Sequence, residues 1–135
     1  MLDLSRVQFL EAIENLYEAL KLLESVRKEI ESGAIRGMVI SENLADAWYK
    51  VNCCRIHTQV DVNLEEFTLD AMGLINDAKC MMDSLLSWKK GMTRQANFFI
   101  RENIASAAKN IFLVLSYLED WLSKSEEETE LTASS

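Results

Sequence analysis

The sequence predicts an all-α fold: an antiparallel, up-down four-helix bundle with long helices. Three observations carry that expectation. The 135 residues contain no proline and only four glycines, and strands and tight turns need such residues as punctuation where long helices do not. Leu, Glu and Ala are abundant, and these are good helix formers. Apolar residues recur at spacings of three and four through most of the chain, which places them on one face of a helix.

The first helix is expected from about Ser5 to Ser32. Phe9, Ile13, Leu16, Leu20, Leu23 and Ile30 share one face, and Glu11, Glu14, Glu18 and Lys21 fall on the other. Asp3 or Ser5 can accept the free N–H groups of the first turn, and Gly33 can take the left-handed conformation that ends a helix. After the connector Gly33-Ala34-Ile35-Arg36-Gly37, Ser41 is the expected N-cap of a second helix carrying Leu44, Trp48, Val51 and Cys54 or Arg55. That helix should weaken near Thr58-Gln59-Val60-Asp61-Val62, where β-branched residues gather.

Asn63-Leu64-Glu65-Glu66 is a partial capping box, with Asn in place of the usual Ser or Thr. It predicts a third helix bearing Leu64, Phe67, Ala71, Ile75, Ala78, Met82 and Leu85, and ending at Gly91. Thr93 should cap a fourth, whose core stripe is Ile100, Ile104, Ala108, Ile111, Leu115, Leu118 and Leu122. Residues 1–124 read as a single helical domain. Residues 125–135 read as an acidic disordered tail, because Ser125-Glu126-Glu127-Glu128-Thr129-Glu130 offers no large apolar side chain to bury.

Short connections make neighbouring helices antiparallel. One end, the top, then holds the first and third connections. The bottom holds the second connection and both ends of the chain. Arg27, Lys28, Arg36, Lys50, Lys89, Lys90, Arg94 and Arg101 fall in the upper half, and acidic residues crowd the lower half. This gives a basic tip of Arg36, Lys89, Lys90 and Arg94 on a protein whose net charge is -8. An acidic balance argues against a nucleic-acid partner, because phosphate binding rests on Lys and Arg. The opening Met1-Leu2-Asp3-Leu4 has no basic n-region and no apolar core, so it does not read as a signal peptide. No run approaches the roughly 18 apolar residues of a membrane span. The three cysteines, two of them adjacent, read as reduced thiols in a cytoplasmic setting.

Chemistry-bearing motifs are sparse. His57 is the single histidine. It shares a helix face with Cys53, but zinc wants four ligands at recognisable spacing, and Arg55 would repel a cation. The expected reading is partly buried cysteines and an end-of-helix histidine, with no metal and no cofactor. No nucleophile elbow or phosphate-binding loop occurs, and the fourth helix has Arg94 and Arg101 but no histidine to make an Arg–His pair for RNA cleavage. Met72 and Met82 fit core filling, and Trp48, Trp88 and Trp121 fit capping of the core's ends. Asn15, Asn76 and Asn103 are the polar residues closest to core stripes.

The most specific signal is on the fourth helix. At about 100° per residue, Phe98, Ala105 and Phe112 align well away from the core stripe. Leu113 widens the strip, and Arg101, Glu102 and Lys109 flank it. A second apolar face usually covers another chain. The expected function is therefore a non-catalytic helical interaction module, a regulator, adaptor or assembly chaperone. It would act as a homodimer or within a larger protein complex, through Phe98, Arg101, Ala105, Lys109, Phe112 and Leu113. The alternatives are a small-molecule or metal-binding bundle, an enzyme whose site forms at a subunit interface, and a subunit of a nucleic-acid complex using the basic tip.

Overall fold

A computed structural model describes residues 4–33, 35–59 and 61–134. Four helices follow in chain order: α1 (Leu4–Glu31), α2 (Gly37–Thr58), α3 (Val62–Ser87) and α4 (Arg94–Ser134). No strand occurs among the described residues. The side-chain contacts fix the up-down order. Near the bottom, Cys54 Sγ of α2 donates to Ala12 O of α1 at 3.1 Å, and Phe9 of α1 meets Trp121 of α4 with ring centroids 4.5 Å apart. Near the top, Ser41 of α2 donates to Asp83 of α3 at 2.5 Å, and Arg101 of α4 pairs with Glu31 of α1 at 3.6 Å. Early residues of each helix thus meet late residues of its neighbours.

The buried side chains are largely those the periodicity selects. Leu16 and Leu23 of α1, Leu44 and Val51 of α2, Ile75 of α3, and Ile100, Ile111 and Leu118 of α4 are all buried. Val26 and Val114 join them from positions the sequence reading passed over. Burying such side chains is the main favourable contribution to folding, each adding about 1.5–3 kcal/mol.

Helix ends depart from expectation more than helix faces do. Gly33 is left-handed as expected, with φ 79°. The start of α2, however, is Gly37 and not Ser41. Its N-cap position is Arg36, which offers no side-chain acceptor. Glu29 of α1 holds Arg36 instead, accepting its backbone N–H at 3.0 Å and its guanidinium at 2.8 and 3.0 Å. Ser41 is left inside the helix, bonded across to α3. The cap of α3 is likewise Asp61 and not Asn63: its carboxylate accepts N–H from Asn63 at 2.8 Å and Leu64 at 3.2 Å.

At the other end α3 stops at Ser87, short of Gly91. Lys89 takes the left-handed conformation there, φ 52°, while Lys90 N–H donates back to Leu85 O at 2.9 Å. Thr93 caps α4 as expected, its hydroxyl accepting Ala96 N–H at 3.0 Å. The backbone of α4 continues as helix past Lys124, where the sequence reading placed a disordered tail, through Ser134. No glycine or proline interrupts that stretch, and Glu, Leu and Ala favour helix.

The four helices form a ring in which consecutive helices pack on one another and α1 closes on α4. The closing seam is the least extensively packed of the four.

Candidate functional site

The loose α1–α4 seam follows from which residues face it. On the α4 side these include Ala105 and Ala108, too small to fill the space between two helices. The result is a surface groove of about 940 Å³. Leu20 and Leu23 of α1 and Ile104 and Ala108 of α4 give it apolar walls. Lys21, Glu24 and Lys28 edge it on the α1 side, and Arg101 and Glu102 on the α4 side. Tyr17 marks its lower part and donates a hydrogen bond to Glu119 of α4. That bond to a carboxylate, followed by partial desolvation, raises the Tyr17 phenol above its ordinary value.

Phe98 and Phe112 also line the groove, and both are largely in solvent, 67% and 56% exposed. Ala105, Arg101 and Lys109 are exposed as well, and Leu113 is 43% exposed. A shallower depression of about 380 Å³ adjoins, where Ala105, Lys109, Phe112 and Leu113 meet. All six residues singled out on α4 therefore lie on one accessible surface.

Sequence reasoning missed the α1 half. Of the α1 residues that line the groove, Tyr17 is 44% exposed. Tyr17 lies off the core stripe of α1, so the same off-stripe search applied to α1 would have found it.

The four residues of the basic tip have different surroundings. Arg36 is committed to Glu29, whose carboxyl is held below its usual range by that guanidinium and by the Arg36 N–H. Lys90 lies over the Trp88 ring, its Nζ 5.7 Å from the centroid, and Lys89 is exposed at the turn. Arg94 belongs with the α4 strip: a depression of about 420 Å³ brings it together with Phe98, Arg101 and Met92. Of the tryptophans, Trp121 packs on Phe9, whereas Trp88 is 65% exposed and caps no core.

His57 has an aromatic neighbour and not a ligand set among the described residues. Its ring stands 6.2 Å from Phe9, while Cys54 turns into the core. Burial, with a smaller contribution from Cys53, pushes the Cys54 thiol up to about 12, far from the thiolate that nucleophilic or metal chemistry requires. Among the described residues no three His, Cys, Asp or Glu side chains stand close enough to share a metal ion. No helix among them is long and apolar enough to cross a membrane. Asn15 is half-buried and Asn76 exposed. The buried amide nitrogen of Asn103 has no hydrogen-bond partner among the described residues, and nothing in the structure explains it.

No protein-family model, curated protein or solved structure matches this chain.

Proposed function

We propose that this protein is a non-catalytic helical interaction module, a regulator, adaptor or assembly chaperone, working through the surface formed by α1 and α4. The observation that carries this reading is the exposure of Phe98 and Phe112 beside an apolar groove. Isolated exposed apolar side chains are ordinary on protein surfaces. A continuous strip that includes two phenylalanines, a leucine and an alanine, rimmed by charges of both signs, has the make-up of an interface. Burying the two rings would contribute about 1.5–3 kcal/mol each. Self-association in the cytoplasm is part of the proposal, because a twofold contact uses the same patch twice.

The test is Phe112→Glu, with mass read by light scattering and helix content by circular dichroism. The wild type should run as a dimer, and the variant should be a folded monomer. A wild type that stays monomeric at high concentration would refute self-association. A variant that loses its helix content would place Phe112 in the core and remove the basis for the strip.

A further inference from the structure

Resting on that reading, we infer that the occupant of the α4 strip is a second copy of this chain, with the two α4 helices antiparallel about a twofold axis at Ala105. The register follows from the positions of the two phenylalanines, Ala105 and the charges along α4.

Ala105 sits midway between Phe98 and Phe112, seven residues from each. In an antiparallel pair centred there, each Phe98 comes level with Phe112 of the other copy, about 10 Å from the axis. The small Ala105 side chains meet at the axis and allow the helices to approach closely. No other small residue on the strip has a phenylalanine one heptad away on both sides.

The charges agree with the same register. Glu102 and Lys109 lie on one flank of the Phe98–Ala105–Phe112 line, three residues before and four after Ala105. A twofold axis perpendicular to the helices keeps that flank facing its own equivalent. Glu102 of one copy is then within a turn of Lys109 of the other, twice per dimer. Both are exposed, and neither has an ion-pair partner among the described residues. Arg101, on the opposite flank, is already paired with Glu31.

Farther out, Arg94 stands about 16 Å before Ala105 and Asp120 about 22 Å after it along the axis. Antiparallel pairing brings the Arg94 end of one α4 beside the end of the other that holds Asp120, which also pairs with Lys124 at 3.1 Å. A parallel pair would set the two acidic C-terminal halves of α4 side by side, on chains that each carry a net charge of -8.

Charge exchange tests the register separately from the existence of the dimer. Glu102→Lys alone places lysine against Lys109, and Lys109→Glu alone places glutamate against Glu102. Each should weaken dimerisation about tenfold at low salt and by less at 0.5 M salt, since exposed pairs are screened. The double variant restores opposite charges and should dimerise within about threefold of wild type. In a background with Cys53→Ser and Cys80→Ser, Ala105→Cys should form a disulfide between copies on mild oxidation, and Ser116→Cys should not, because bridged residues need Cα atoms within about 7 Å.

If Phe112→Glu still yields a monomer but the double swap fails to rescue and Ala105→Cys does not cross-link, this register is wrong and the interaction surface stands. If the wild type is monomeric throughout, both the register and self-association are wrong.

Discussion

The adjacent thiols of α2 face different surroundings. Cys54 is fully buried, donating to Ala12 O and lying within 3.4 Å of Lys50 O. Cys53 is half-buried, and Cys80 on α3 is exposed. Reactivity follows the thiolate, and a thiol held near 12 supplies almost none at neutral pH. In the native protein at pH 8, a maleimide or iodoacetamide reagent should modify Cys80 first and leave Cys54 untouched until the chain is unfolded. Mass spectrometry of peptides from a labelling time course reads this directly, and comparable rates at Cys54 and Cys80 would contradict the packing described. The sequence alone could place Cys54 on a helix face, but not show whether that face was core or surface near the helix end. Ser41, Asp61 and Asn63 make a similar point about capping. Each is an acceptable cap by residue type. Which one serves depends on Glu29, seven residues before Arg36, reaching up from another helix, and on Asp61 being two residues nearer the connection than the capping-box pattern suggests.

Helix faces were legible because a 3.6-residue period is written directly in the chain. The stripe from Ile100 to Leu122 and the outlying Phe98–Ala105–Phe112 line could both be placed without coordinates. Helix ends were not, since the terminal N–H and C=O groups take partners from other elements. The close of α3 is an instance, where a lysine rather than a glycine adopts the left-handed turn. Within α3 itself Gly73 is exposed, and an added methyl group there would meet no atom within 4 Å. Glycine in a helix interior costs about 0.5–1 kcal/mol relative to alanine through its extra freedom in the unfolded chain. Gly73→Ala should therefore raise the melting temperature by about 2–5 °C, followed by circular dichroism at 222 nm. A lowered melting temperature would mean that Gly73 allows a close approach absent from this structure. Gly37 is the contrasting case, because a methyl group there would come within 2.8 Å of Leu86 and 2.9 Å of Met82.

Across the whole molecule, the sequence showed the strip on α4 but not the groove beside it. A groove depends on how far apart two helices stand, and that is set by side chains of both helices together, such as Leu20 and Ala108 on its two walls, which no single-helix pattern contains. The ring of helices has one further property. Three of its four seams join helices that are consecutive in the chain and tied by a short connector. The α1–α4 seam has no such tether and is also the least packed. Opening it breaks no chain continuity and leaves the α2–α3 pair whole, so the free energy of parting there should be lower than that of unfolding the entire bundle. In time rather than space, α1 and α4, each left with one well-packed neighbour where α2 and α3 keep two, should open before the inner hairpin does. Native-state hydrogen exchange at increasing denaturant should show the amides of α1 around Leu16 and Leu23 exchanging through a smaller opening. Those of α2 around Val51 and of α3 around Ile75 should exchange only with global unfolding. A single isotherm shared by all four helices would mean that the open seam has no life of its own.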